Sequence, residues 1–325
     1  MTTRRTLLKL PALVLASAAS RAYAQQQTQA QFPDKPIRLI VPWAAGGISD
    51  TTARALARAA ELQLGQPIII VNVPGASTVI GMTQLNRATG DGYTIGTLAS
   101  TSYNIALAGQ KLPYDPIEGF SYISYYGDTL IGIAVHASSP FKTLQELIAH
   151  AKNNRLTYGT AGAMTTQHLI GAGLQKATGA QIDHVPMNGS AGSVNALLGK
   201  HVDFIVETSV WMPHVQSGSM RILAVNTPDR SKYLPGVPTL RELGFPYLRS
   251  VLGIIGAPHI PEPVRAKLEA AFRKSLADPA FVGVMERVSM EITDMSGAET
   301  KSLVQREFQR AQQLERDGAL GAPQR

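Results

Sequence analysis

The sequence predicts an α/β protein made of two units. Strand-like apolar runs alternate with helix-like runs along most of the chain, a pattern typical of largely parallel sheets covered by helices. Two sets of strand, small-residue turn and helix occur, in residues 37–104 and 156–210. With 325 residues, 44% of them hydrophobic, the chain is too long for one typical domain. We therefore expect two lobes whose strand ends face one cleft.

The N-terminus predicts export. Arg4 and Arg5 precede an apolar stretch over residues 10–19, and Ala22-Tyr23-Ala24 fits the small-residue rule for cleavage. The stretch is too short to span a membrane as a helix. The arginine pair leaves two routes open, general secretory and twin-arginine. We predict a signal peptide over residues 1–24 and a mature protein in the periplasm.

Charge and cysteine content exclude several function classes. The full chain has a formal net charge of +7, and removing residues 1–24 leaves 26 basic against 23 acidic residues. No run of Lys or Arg remains in the mature chain, which argues against nucleic acid as a partner. The chain has no cysteine, so disulfides, thiolate nucleophiles and cysteine-based metal sites are excluded.

In the first unit, each predicted strand ends in a turn rich in small or hydroxyl residues. The strands are residues 37–41, 68–71 and 93–98. A helix follows the first strand and ends at Leu64-Gly65, where the glycine suits a helix C-terminus. A second helix runs to Ala88. Because ligands of open α/β sheets bind beyond the carboxyl ends of strands, these turns are candidate sites.

The second unit repeats this pattern. Thr143 and Glu146 form a capping box that opens a helix, so Thr143 is predicted to be a structural cap. Strands are predicted over residues 130–135, 156–159, 185–188, 202–206 and 222–225. An apolar run over residues 251–255 returns the chain to the first unit, and two helices follow, over residues 263–276 and 298–314.

The turn over residues 44–50 is the most informative motif. It joins a strand to a helix, so backbone N–H groups are left free at a helix N-terminus, which suits an anion. Asp50 is predicted to be a structural cap rather than a ligand contact, because an unpaired carboxylate would repel an anion. Trp43 fits two interpretations, packing between strand and helix or an aromatic wall of the site.

Catalytic and metal-binding motifs are absent from the sequence. It has no Gly-x-Ser-x-Gly elbow, no Walker A loop, no Gly-x-Gly-x-x-Gly after the first strand and no His-Glu-x-x-His. The seven histidines show no metal-ligand spacing. We expect a protein that is not an enzyme and that has neither a metal nor a cofactor.

The chain resembles the extracytoplasmic solute receptors of tripartite tricarboxylate transporters, the Bug family, from Phe32 to the last helix. Each motif alone is modest, but their order and spacing are specific. They are Phe32-Pro33-Asp34-Lys35-Pro36, Ala44-Ala45-Gly46-Gly47-x-x-Asp50, Asp91-Gly92-Tyr93-Thr94, Tyr158-Gly159-Thr160-x-Gly162 with His168-Leu169, and Val237-Pro238-Thr239-Leu240.

The resemblance implies a type II periplasmic-binding-protein fold without catalysis. It places lobe 1 at residues 32–131 and 255–325 and lobe 2 at 132–254. It implies a monomeric receptor that binds a small di-, tri- or aromatic carboxylate and delivers it to membrane permease subunits. A receptor that presents its ligand to a sensor is the alternative, and a periplasmic enzyme on the same fold is a weaker one.

Combining the turns with the resemblance gives a set of predicted ligand-binding residues. They are Trp43, Ala44, Ala45, Gly46, Gly47, Ser49, Ser77, Thr78, Ser100, Ser102, Thr160, Met164, Thr165, Thr166, Asn188 and Glu207. Thr160, Thr165 and Thr166 could instead cap the following helix, and Glu207 could pair with the protein. Met164 and Glu207 depart from the family pattern, which has glycine and aspartate there, so no particular ligand is carried over.

Overall fold

The computed structural model describes residues 32–107 and 109–317, and the predicted signal peptide lies outside them. The strands are β1 Ile37–Val41, β2 Ile68–Asn72, β3 Thr94–Thr97, β4 Ser121–Asp128, β5 Ile131–His136, β6 Leu156–Thr160, β7 Ile182–Pro186, β8 Phe204–Thr208, β9 Met220–Asn226, β10 Val251–Gly256 and β11 Met295–Ser296. The helices are α1 Ile48–Leu64, α2 Val79–Asn86, α3 Thr101–Leu107, α4 Leu144–Ala151, α5 Thr166–Thr178, α6 Ser190–Leu198, α7 Met212–Gln216, α8 Glu262–Ser275, α9 Pro279–Arg287 and α10 Gly297–Arg316.

Two sheets with their helices form the predicted α/β, two-lobed architecture. The first sheet has the strand order β11-β4-β10-β3-β1-β2, and the second has the order β7-β6-β8-β5-β9. Within each sheet, the strands that lead into the turns of the predicted site are parallel. β1 pairs with β2 and β3, and β6 pairs with β7 and β8. Their carboxyl ends therefore lie together, and the turns meet at one edge of each sheet.

The expectation of largely parallel sheets is wrong. β10 runs antiparallel to β3 and β4, and β5 runs antiparallel to β8 and β9. The physical reason is the connection. A parallel neighbour needs a crossover, usually a helix, whereas β5 and β10 enter their sheets directly from the segments that link the lobes. Both sheets are therefore mixed.

The sequence patterns also missed β4, α3 and α9. β4 is buried along most of its length but reads Ser-Tyr-Ile-Ser-Tyr-Tyr-Gly-Asp, so it shows no continuous apolar run. α9 has nine residues, with Asp278 as its N-cap. Elements this short or this polar form because the surrounding core covers them, which local periodicity does not record.

The chain passes between the sheets twice, at residues 129–130 and 227–250, and the two crossovers are tied together. Thr129 N–H donates to the carbonyl of Ser250 at 2.8 Å, and Arg249 Nε lies 2.9 Å from Asp128 Oδ2. Burial raises the pKa of Asp128 to about 6, against the opposing effect of the Arg249 charge. All of β10 pairs in the first sheet; the residue boundaries of the lobes stay a prediction.

The last helix, α10, joins the cores of the two lobes. Leu303 and Val304 pack in a cluster with Tyr103 and Tyr125 of the first lobe. Ala311, two turns further on, packs in the cluster that contains Leu169 of the second lobe. Of the helices in the described part of the chain, none is both long and apolar enough to cross a membrane.

Candidate functional site

A cleft lies between the lobes at the carboxyl ends of the strands. The first residues of α1, α5 and α6 all line it, so three helices begin at one place. The full lining is Trp43, Ala44, Gly47, Ile48, Ser49, Leu98, Ala99, Ser100, Thr101, Thr129, Ala161, Thr166, Gln167, Gly189, Ser190, Thr208, Ser250, Val251 and Leu252.

The loop before α1 is braced from behind by Asp50. One Asp50 carboxylate oxygen accepts from Gly46 N–H at 2.9 Å and from Arg54 Nε, and the other accepts from Asn72 Nδ2 at 2.9 Å. These hydrogen bonds and the Arg54 charge lower the pKa of Asp50, although burial opposes them. Asn72 Nδ2 also donates to the Trp43 carbonyl at 3.1 Å. The loop thus has a fixed shape before any ligand binds.

The predicted capping role of Asp50 needs correction. The N-cap position of α1 is Gly47, which makes no side-chain cap, and Asp50 lies three residues further on. From there its carboxylate reaches back to the loop instead of satisfying the first N–H groups of the helix. In the described part of the chain, the N–H groups of Ile48 and Ser49 have no hydrogen-bond partner and are available to the cleft. By contrast, Thr143 caps α4 in a complete capping box with Glu146.

Hydrogen bonds from its own threonines stabilise the second-lobe loop, residues 160–166. Thr165 Oγ1 donates to the Gly162 carbonyl at 2.9 Å and accepts from His168 N–H at 3.2 Å, so Thr165 is the N-cap of α5. Thr160 Oγ1 donates to the same carbonyl at 2.9 Å. Met164 has a φ of 59°, in the left-handed region that favours glycine. The loop therefore holds a strained residue in place by side-chain hydrogen bonds.

A stacked pair of histidines supports this loop. The rings of His168 and His184 lie 3.9 Å apart and are nearly parallel. His168 Nδ1 accepts from Met164 N–H at 3.0 Å, which requires that nitrogen to be unprotonated. His184 Nε2 lies 2.8 Å from Thr160 Oγ1. Burial lowers the pKa of His168 to about 4, and burial together with the neighbouring His168 lowers that of His184 to about 3.

The loops of the two lobes meet across the mouth of the cleft. Asn104 Nδ2, on α3, donates to the Met164 carbonyl at 3.1 Å. A Cβ atom placed on Gly189 would lie 3.4 Å from Ala44 Cβ, and one placed on Gly47 would lie 3.9 Å from Ser190 Oγ. A small ligand in the cleft is therefore within reach of both lobes.

The lining combines polar and apolar side chains and is uncharged. Among the described residues, it includes no Lys, Arg, His, Asp or Glu side chain. Its polar groups are hydroxyls, the Gln167 amide and the free N–H groups at the helix N-termini. Each such N-terminus carries a partial positive charge of roughly half an elementary charge. The arrangement suits a small anion with an apolar body. The apolar body would pack against Trp43, Leu98 and Val251.

The structure brings only part of the predicted site into the lining. Six predicted residues line the cleft: Trp43, Ala44, Gly47, Ser49, Ser100 and Thr166. Ten lie outside it: Ala45, Gly46, Ser77, Thr78, Ser102, Thr160, Met164, Thr165, Asn188 and Glu207. Ser102 faces Tyr114, with 3.1 Å between the hydroxyl oxygens, and Asn188 is exposed. Ligand contact by any of the sixteen stays a prediction.

Several lining residues were missed. Gln167 and Ser190 lie in the first turns of helices that follow strands, and Thr208 ends β8, so the strand-end rule could have found all three. Thr129 and Ser250 lie on the crossovers, where no local pattern marks them. Among the described residues, no group of three or more His, Cys, Asp or Glu side chains could hold a metal ion.

The chain is similar in sequence to a family of known proteins and in fold to several solved structures. Residues 52–320 match the family model described as tripartite tricarboxylate transporter family receptor. A curated relative, the UPF0065 protein in the gbd 5′ region of Cupriavidus necator, is 37% identical over 284 residues, 86% of each chain.

Two solved structures are similar along almost their whole length. The periplasmic binding protein BugD superposes with a TM-score of 0.83 at 28% identity, covering 89% of this chain and 99% of that one. MatC from Rhodopseudomonas palustris, solved with bound malate, superposes with a TM-score of 0.80 at 26% identity, covering 89% and 100%.

The histidine pair predicts a loss of stability in mild acid. Both folded-state pKa values lie below the ordinary value of about 6.5, so the unfolded chain binds more protons below that pH. The contribution is complete above about pH 6.5 and declines as the pH falls toward 4, by about 3 kcal/mol or more for the pair. Urea unfolding at a series of pH values measures this slope.

Two variants separate the contribution of this histidine pair from that of other groups that titrate in acid. The double variant His168→Gln, His184→Gln should show a shallower slope between pH 6.5 and 4 than the wild-type protein. His201→Gln, at an exposed histidine, should leave the slope unchanged. Equal slopes for the double variant and the wild-type protein would contradict the assigned role of the pair.

Proposed function

The chain belongs to the tripartite tricarboxylate transporter receptor family, the Bug family, and on that premise we propose that it is a periplasmic receptor for a small organic carboxylate. It binds the acid in the interlobe cleft and delivers it to the membrane permease subunits of such a transporter. The family is one of solute receptors and not of enzymes. The proposal includes export by the N-terminal signal and a monomeric mature protein.

One observation carries the proposal: helices α1, α5 and α6 begin at an uncharged cleft. Unpaired N–H groups and hydroxyls can hold a carboxylate without a full counter-charge, because the helix N-termini supply partial positive charge. The apolar residues beside them cover the carbon body of the acid. Bound malate in the similar structure of MatC supports an organic acid as the ligand.

The geometry gives a mechanism for capture. Residues 43–49 come from the first lobe, and residues 166–167 and 189–190 come from the second, so only a state with the lobes together offers every contact to one ligand. A ligand shifts the balance toward that state by the difference in its affinity for the closed and open forms. The closed form would then be the one that the permease recognises.

Stabilisation by carboxylic acids tests the function. The mature protein, screened by thermal shift against mono-, di- and tricarboxylates and aromatic acids, should gain several degrees with at least one of them at millimolar concentration. The reason is that a ligand bound only to the folded state stabilises it by mass action. The absence of a shift with every acid, while the protein melts cooperatively, would contradict the proposal.

Substitution of Gly47 tests the site. Gly47 has an extended backbone, and a Cβ there meets nothing closer than 3.9 Å, so Gly47→Ala should leave affinity within about twofold. Gly47→Leu should fill the space between Ala44 and Ser190 and hold the lobes apart. We expect a loss of affinity of about tenfold or more by calorimetry with an acid found in the screen, at unchanged melting temperature. Equal affinity in both variants would place the ligand elsewhere.

A further inference from the structure

Behind the second-lobe wall of the cleft lies a fully buried carboxyl group, that of Glu207. Its Oε1 accepts four hydrogen bonds: from Ser190 Oγ at 2.9 Å, Gln167 Nε2 at 3.3 Å, Thr208 N at 2.8 Å and Thr208 Oγ1 at 3.1 Å. Its Oε2 is buried and has no hydrogen-bond partner in the described part of the chain. Burial raises the pKa of Glu207, although these four hydrogen bonds oppose the rise.

Three residues that donate to Glu207 also line the cleft: Gln167, Ser190 and Thr208. A hydroxyl has one hydrogen to donate and two lone pairs to accept with. The hydroxyls of Ser190 and Thr208 donate that hydrogen to Glu207. They can therefore only accept a hydrogen bond from a ligand. This holds in either protonation state of Glu207, because Oε1 accepts in both.

Glu207 also lies near two helix N-termini, which it contacts through the side chains of Gln167 and Ser190. Gln167 is the second residue of α5, and Ser190 is the first residue of α6. A negative group near such N-termini is stabilised by their partial positive charge. The Glu207 carboxyl lies behind this wall, so a second ligand carboxylate in the cleft would face the oxygen lone pairs of Ser190 and Thr208.

The first-lobe side differs in this respect. Asp50, the acid in the first turn of α1, is paired with Arg54 at 2.9 Å, so its charge is neutralised. The groups that hydrogen-bond Glu207 are all neutral. The two walls thus differ in side-chain chemistry: beside the backbone N–H groups of its helix N-termini, the second-lobe wall presents hydroxyl lone pairs backed by Glu207.

We propose that Glu207 makes the second-lobe wall selective for a hydrogen-bond donor. The receptor then prefers an acid with one carboxylate and a hydroxyl or ammonium group at its other end over a dicarboxylate of the same length. Glu207 acts through Gln167, Ser190 and Thr208, as a positioning residue. The inference rests on the proposed function and narrows its ligand class.

Calorimetry with acids of matched length tests the selectivity. The four-carbon set is butyrate, 4-hydroxybutyrate, 4-aminobutyrate and succinate, and the six-carbon set is hexanoate, 6-hydroxyhexanoate, 6-aminohexanoate and adipate. In at least one set, the wild-type protein should bind the hydroxy or amino acid at least tenfold more tightly than the dicarboxylate. The hydroxy and amino arms distinguish a neutral donor from a cation.

Two variants separate hydrogen bonding from charge. Glu207→Met has no acceptor, so the three side chains regain hydrogens to donate, and the preference over the dicarboxylate should fall at least tenfold. Glu207→Gln keeps an acceptor oxygen without charge, so preference for the hydroxy acid should persist while preference for the amino acid falls. Glu286→Gln, at an exposed glutamate on α9, is the control and should change neither ratio.

The outcomes are distinct. A preference for the hydroxy or amino acid below tenfold in both sets, or tighter binding of the dicarboxylate, would overturn the inference and leave the proposed function standing. A uniform loss for all acids in Glu207→Met, with the ratios unchanged, would also overturn it, because that is the effect of a structural role. Should the Met variant not fold, the wild-type ratios and the Gln variant still decide. No stabilisation of the folded wild-type protein by any mono-, di-, tri- or aromatic carboxylate of the thermal-shift screen would overturn the proposed function itself.

Discussion

Backbone N–H groups at the start of a helix have no partner within that helix, and in this protein three helices begin at one cleft. Such groups are costly to bury unpaired, so the cleft must stay open to water or hold a ligand that accepts hydrogen bonds. Because the donors belong to the backbone, their positions depend on the strands and turns before them. The parallel pairing of β1 with β3 and of β6 with β7 puts these donors on facing edges.

Donors of this kind bind well only if their loops keep one shape. The first loop is held by a carboxylate already neutralised by Arg54, which reaches Gly46 from inside the helix. The second is held by neutral histidines, with Met164 kept in a strained conformation by His168 and by Asn104 of the other lobe. In both cases the charged or titratable group lies behind the loop, and the ligand surface is left uncharged. The tied crossovers and α10 connect the two lobes.

The sequence predicted the architecture and the loops better than the individual contacts. Apolar runs located most strands, and small residues after them located the turns around Gly47 and Ser190. The antiparallel strands β4, β5 and β10 followed no local rule, because their direction depends on where the chain crosses between lobes. The predicted site and the observed lining differ mainly in where side chains point. The Thr165 hydroxyl caps a helix, and the Ser102 hydroxyl is hydrogen-bonded to Tyr114. Thr129 and Ser250 reach the cleft only through the crossovers.

We expect backbone N–H groups, without a cationic side chain, to hold the carboxylate of the ligand. A crystal structure of the mature protein with a bound acid measures this most directly. A carboxylate oxygen should lie within about 3.2 Å of the N–H groups of Ile48 or Ser49, with no Lys or Arg side chain in contact. A carboxylate paired with an arginine or lysine, or bound outside the interlobe cleft, would contradict it.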